Sequence, residues 1–284
     1  MARITLKAGG KREKVSKERA EANVQRWKLE ATGNQVVGID ISCLSWTLEA
    51  LNIIKPFLEE IASTVKYANL ADIIASLMTD EGLAVIEGVV EVFRDSPIVD
   101  IDLSDNALGL RGMERIKTLL TGAPLQRLYL ANCGFSAESM VHLRDCVAAN
   151  DNAIGKSLKE LVLDRNMMGT RGAQEVGEII SKCNLEYLSY LGCRIQEGTL
   201  FLANGIKLMA ENATKPALIR LDIDDGNFGE DEPAYIPLAE GLKRCSLLRH
   251  LDLTDARLEC EGLACVMNAL TTASVKLTHL GLGK

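Results

Sequence analysis

Apolar residues return along this chain in a regular cadence. Val36, Val65, Ile98, Leu125, Leu158, Leu185, Leu218, Leu248 and Leu277 each open a unit of the form L-x-x-L-x-L, and successive openings lie 27 to 33 residues apart. The alternation inside each unit has period two, which predicts a short strand with one apolar face. Between the units run segments of helical periodicity, such as "RGMERIKTLL", "RGAQEVGEII" and "CEGLACVMNAL". A small residue stands near each predicted helix start, at Ala50, Gly82, Gly112, Ser139, Gly172, Gly198 and Gly262, where a larger side chain would collide with the neighbouring turn. One strand and one helix cannot bury an apolar stripe by themselves, so neighbouring units must stack.

This cadence is that of a long leucine-rich repeat. The expected fold is an α/β solenoid of ribonuclease-inhibitor type, curved, with a parallel inner sheet and outer helices. Residues alternating with the leucines are expected to face outward from that sheet. They include Asp40, Asn69, Asp100, Asp102, Tyr129, Glu160, Ser189, Asp222 and Asp252, and they predict a mainly acidic lining. Residues 1–35 stand outside the ladder. Their stretch "KREKVSKERAEANVQRWK" reads as a basic capping segment, a surface helix with Val15, Ala22 and Trp27 as sparse apolar points. Residues 36–284 form the repeat domain, about nine repeats long. Terminal repeats normally carry a polar cap, and the sequence stops two residues after Leu282, which predicts a natural chain continuing beyond Lys284.

Charge narrows the choice of partner. The total is −7, but residues 1–35 carry nine Lys/Arg against four Asp/Glu, a net of +5, leaving −12 on the rest. An acidic body favours a cationic protein partner over nucleic acid. No apolar run approaches the ~18 residues of a membrane span, and the N-terminus lacks a signal-peptide core. The expected compartment is the cytosol or nucleus. The eight cysteines show no Cys-x-x-Cys pair and read as free buried thiols. His142, His250 and His279 are far apart in sequence, so no metal site is expected. Asp222, Asp224 and Asp225 read as a solvated acidic patch. No Gly-rich phosphate loop, Ser/His or Cys/His pair, or paired carboxylates suggest an enzyme with its own active site.

After each strand the chain must turn, and its buried backbone groups need partners. Counting three residues past the last strand leucine (Ile223 in one unit) gives Asn106, Cys133, Asn166, Gly226 and Ala256, with Cys193 in a slightly altered unit. These read as inward-facing ladder residues. In the stretch "LYLANCGF" the ladder duty therefore falls to Cys133, which leaves Asn132 on a solvent-facing rim with Asp105, Arg165, Gly192, Asp225 and Asp255. That rim lies at the carboxyl ends of the strands, where a rigid scaffold often carries function. Shaping the turn is the competing duty for Asn132.

"LSDNALG" at Leu103, followed by "LYLANCGF" at Leu128, resembles the leucine-rich repeat domain of the RanGAP family, the GTPase-activating proteins of the small GTPase Ran. "LVLDRNMMG", "LDIDDGNFG" and "LDLTDARL" continue the order, and the similarity extends from about residue 30 to the end. The resemblance implies stimulation of GTP hydrolysis without an arginine finger, by ordering the GTPase's own catalytic glutamine. The family's key asparagine maps onto Asn132. Asp72, Asp102, Asp105, Arg165 and Asp225 are the expected contacts to Ran in its GTP state. GTP and Mg²⁺ would belong to that partner, so no cofactor is expected of this chain. The family's Gly-Arg pair is missing: Ser76 and Leu77 stand there, with Lys66 a basic residue that could compensate. The Trp-Pro-Pro targeting motif of plant members is also absent. A non-catalytic protein-binding scaffold is the alternative reading.

Overall fold

The protein, seen in a computed structural model, is described over residues 1–148, 154–195, 197–229 and 233–283. It divides into two compact units, Met1–Cys133 and Gly134–Lys284.

In the first unit the order is β1 (Arg3–Lys7), β2 (Lys14–Val15), α1 (Lys17–Ala31), β3 (Gln35–Asp40), β4 (Ser45–Trp46), α2 (Leu48–Ile61), β5 (Tyr67–Asn69), α3 (Thr79–Phe93), β6 (Asp100–Asp102), α4 (Gly109–Gly122) and β7 (Arg127–Tyr129). Strands β1, β3, β5, β6 and β7 pair in that order, all parallel. The second unit runs α5 (Ala137–Ala148), β8 (Glu160–Val162), α6 (Gly169–Ser181), β9 (Tyr187–Tyr190), α7 (Thr199–Asn212), β10 (Arg220–Ile223), α8 (Tyr235–Leu242), β11 (His250–Asp252), α9 (Glu259–Thr272) and β12 (His279–Gly281). Its strands β8 to β12 are likewise parallel and in sequence order. Strand thus alternates with helix in both units.

Apart from a shift between Ile4 and Thr5 where β1 meets β3, the strands pair in steady parallel register, which puts equivalent repeat positions side by side. Ala68, Ile101 and Leu128 form one such row in the first unit, and Leu188, Leu221 and Leu251 another in the second; all are buried. Each helix answers with its own apolar stripe, for example Met113, Ile116, Leu119 and Leu120 on α4, all fully buried. Burial of each such side chain is worth about 1.5–3 kcal/mol. Small residues set how closely the layers approach. A Cβ on Gly205 of α7 would lie 2.5 Å from the Gly177 carbonyl oxygen of α6, so that these two helices meet backbone to backbone.

The N-terminal segment contributes a strand that the leucine cadence did not place there. β1 pairs with β3, and α1 packs on α2. α1 opens on Ser16, whose hydroxyl accepts from the Arg19 amide, and it buries Ala20, Asn23 and Trp27, while Ala22 is exposed. The Trp27 ring stacks on Phe57 at 6.0 Å, and its Nε1 donates to the Lys7 carbonyl at 3.0 Å.

Candidate functional site

The turns that follow the strands rest on the ladder residues. Asn106 is completely buried; its Oδ1 accepts from the Ile73 amide at 2.9 Å, and its Nδ2 donates to the Leu70 and Leu103 carbonyls, each at 2.9 Å. Asn166 repeats the pattern, accepting from the Phe135 amide at 3.1 Å and donating to Leu163 at 2.7 Å. Cys133 and Cys193 take the same inward position with weaker donors, reaching the Leu103 and Leu163 carbonyls at 3.3 and 3.2 Å. Burial pushes both thiols upward, that of Cys193 to about 12, so they are inert donors rather than nucleophiles.

The residue before each ladder position has a different constraint. Asp72, Asp105 and Asn132 in the first unit have φ of 55°, 59° and 51°; Arg165, Asp225 and Asp255 in the second have 55°, 53° and 58°. Gly192, at 63°, takes the same slot. This is the left-handed region, which non-glycine residues enter at a cost that Asn and Asp bear best. In each unit the rim is therefore a set of left-handed turns, a geometry that suits the Asp, Asn and Gly found there and that Arg165 adopts at a cost. Asn132 is exposed, and its Nδ2 donates to Asp105 Oδ1 at 2.9 Å. Asp105 and Arg165 are exposed, as is Asp225. Asp72 is held by an arginine from the N-terminal segment, Arg12 Nη2, at 2.7 Å.

Arg12 is the basic residue that sequence reading overlooked here. Lys66 precedes β5, whose other end leads into the Asp72 turn, so Lys66 is no substitute for a rim arginine. Ser76 is exposed with φ of 65°, the backbone conformation a glycine would suit, and Leu77 follows it without a charge.

The acidic lining is less open than alternation suggested. Ser189 and Asp222 are buried, and the other members are half-buried. Four of them brace their own turns: Asp40, Asn69, Asp102 and Asp252 each end a strand and accept from the amide two residues on, Ser42, Ala71, Ser104 and Thr254, at 2.9 to 3.2 Å. Short side chains that bond their own backbone in this way favour turns. Asp102 is thus committed to Ser104, and burial raises its pKa above the ordinary carboxylate value despite that bond. Burial also raises Asp224, whose Oδ1 accepts from the Gly192 amide at 2.6 Å, so Asp222 and Asp224 are not a solvated patch.

What remains open on the first unit's sheet is a shallow hollow lined by Tyr67, Asn69, Asp100, Asp102 and Tyr129. Two of these residues meet Arg127, which pairs with Asp100 at 2.8 Å and lies 5.9 Å from the centre of the Tyr67 ring. Aromatic and arginine side chains of this kind anchor protein interfaces. On the second unit's sheet His250 and His279, distant in sequence, are register partners whose rings stack at 4.1 Å. Their common place in "LRHLDL" and "LTHLGL" was the available signal.

No protein-family model matches the chain. NACHT, LRR and PYD domains-containing protein 5 of Mus musculus is 30% identical over 194 residues, 64% of this chain and 15% of that protein. NACHT, LRR and PYD domains-containing protein 3 of Homo sapiens is 29% identical over 189 residues, 65% of this chain and 17% of its own length. RAN GTPase-activating protein 2 of Arabidopsis thaliana is 31% identical over 121 residues, 42% of this chain and 22% of that protein. The last stretch is shorter than the span from residue 30 to the end over which the RanGAP resemblance was expected. The chain spans less than a quarter of each of these relatives. The solved tropomodulin C-terminal domain of Caenorhabditis elegans aligns at a TM-score of 0.31 and 11% identity, covering 79% of this chain and 93% of that one, and adds no weight. Strand and helix order and repeat length define a leucine-rich repeat fold, and the first two relatives carry LRR in their names. No helix among the described residues is long and apolar enough to cross a membrane.

Proposed function

We propose that this chain binds the small GTPase Ran in its GTP state and stimulates GTP hydrolysis through Asn132. The observation that carries the reading is the Asn132 side chain itself: exposed, held by Asp105 at 2.9 Å, and seated on a turn buttressed by Cys133. A neutral amide fixed in this way donates and accepts at once, which suits ordering a partner's glutamine. Asp72 and Asp105 on the first unit's rim, Asp102 beside its hollow, and Arg165 and Asp225 on the second unit's rim are the proposed contacts. GTP and Mg²⁺ stay with the partner. The stretch similar to RAN GTPase-activating protein 2 supports the choice of GTPase. Work in the cytoplasm or at the nuclear envelope fits this reading.

Single-turnover hydrolysis of GTP on Ran, with and without saturating chain, tests it. Acceleration lost in Asn132→Gly, with binding retained, supports the assignment; no acceleration by the wild-type chain refutes it.

A specific observation favours a second reading, a non-catalytic scaffold. The left-handed φ of 51° explains an asparagine at position 132 without any partner, and no arginine occupies position 76 or 77. A scaffold would engage its partner irrespective of bound nucleotide and leave hydrolysis unchanged.

A further inference from the structure

Parallel register on the second unit's sheet assembles a set of donors that no single repeat contains. His250 pairs with His279 and Asp252 with Gly281, so both imidazoles and the Asp252 carboxylate stand on one face of β11 and β12. One ligand-type atom from each of His250, Asp252 and His279 lies within 4.8 Å of the others. A tetrahedral ion with bonds of about 2.0–2.1 Å needs its ligand atoms about 3.4 Å apart. Closing that distance requires the His279 ring, 48% exposed and stacked on His250 at 4.1 Å, to turn out of the stack.

A second observation concerns Asp222 in the adjacent strand β10. Its side chain is almost fully buried, and its Oδ2 accepts from Arg220 at 2.7 Å and from Tyr187 at 3.2 Å. Its Oδ1 is buried with no hydrogen-bond partner among the described residues, yet it sits 3.0 Å from His250 Nε2. An N–H on that imidazole nitrogen satisfies the carboxylate oxygen, the usual outer support of a metal-ligating histidine, and leaves His250 Nδ1 as its ligand atom. Gly281 keeps the face open: a Cβ there would come within 2.3 Å of Asp252 Oδ1.

We propose that His250, His279 and Asp252, with Asp222 holding His250, bind a divalent transition metal of the zinc class. Two imidazoles and a carboxylate match the donor preference of such ions, and three protein ligands on an open face leave a fourth position for water or a partner's side chain. The site ties β11 to β12. It does not depend on the GTPase reading, since it uses none of the rim residues.

The test uses the full chain after chelator treatment, titrated with zinc chloride by calorimetry while the histidine imidazole resonances are followed by NMR. Binding of one equivalent, with His250 and His279 resonances shifting together, is expected. His279→Asn and His250→Asn should each weaken binding tenfold or more, and Cys260→Ser, removing an exposed thiol, should leave it unchanged. Circular dichroism confirms folding of each variant, and the exposed His279 is the safer one to change. No saturable binding, or binding that survives both histidine variants, would overturn the proposal.

Discussion

Replacing Asn106 by alanine should destabilise the protein by about 2–6 kcal/mol. The range follows from counting which backbone groups lose their partner. Of the groups that Asn106 bonds, the Leu103 carbonyl keeps Cys133 Sγ at 3.3 Å, and the Ser104 carbonyl keeps the Asp72 amide at 2.9 Å. Among the described residues the Ile73 amide and the Leu70 carbonyl have no such second donor or acceptor, and both residues are fully buried. Each orphaned buried group costs about 1–3 kcal/mol, which sums to the range given. Asn106→Asp should be worse at pH 7 than alanine, because a carboxylate would face the Leu70 and Leu103 carbonyls, and should recover as acid protonates it. Urea unfolding followed by tryptophan fluorescence is the assay, since Trp27 and Trp46 are both buried in the same unit as Asn106. Hydrogen exchange at the Ile73 amide gives the local readout. A loss below about 1 kcal/mol with Ile73 protection intact would refute the reasoning and show that the turn finds other partners.

Three further outcomes are expected. At the left-handed Asn132, alanine should cost about 1 kcal/mol in thermal unfolding and glycine less than about half of that, so Asn132→Gly separates turn shape from amide chemistry; equal losses would deny the backbone constraint. Asp102→Asn should raise the melting temperature at pH 7: burial keeps the folded carboxyl neutral to higher pH than in the unfolded chain, so a penalty builds as pH rises from the unfolded pKa to the folded one and stays above it. The benefit should vanish near pH 3, below the ordinary carboxylate value of about 3.9, and a benefit that persists there would count against burial as the cause. Gly205→Ala, placing a Cβ 2.5 Å from the Gly177 carbonyl oxygen, should cost about 1–3 kcal/mol in urea unfolding by prying α7 from α6, and an unchanged midpoint would contradict that close approach.

The strands and the ladder were legible because each leaves a local pattern: period two for the strand, and a fixed offset from the last leucine for Asn106, Cys133 and Asn166. β1 was harder, since "RITLK" alternates only Ile4 with Leu6 and lies outside the leucine cadence. The acidic lining misled because alternation says which way a side chain points and nothing about what it then bonds. Asp40, Asp102 and Asp252 point outward and fold back onto their own turns. Left-handed φ at the rim was hinted by Asp and Gly in one slot, but Arg165 and Asn132 blurred the hint by suggesting chemistry instead. The paired histidines and the link from Arg12 to Asp72 are 29 and 60 residues apart and required knowledge of which repeats touch.

The ladder thiols carry a kinetic consequence. Cys133 closes the first unit and Cys193 lies inside the second, both buried, whereas Cys43 and Cys260 are exposed. A thiol reagent can reach Cys133 or Cys193 only in molecules whose turn has swung open, so their slow labelling, resolved by peptide mapping, counts those excursions one unit at a time. The chain thus carries its own pair of opening gauges, calibrated internally by the two thiols that react at once.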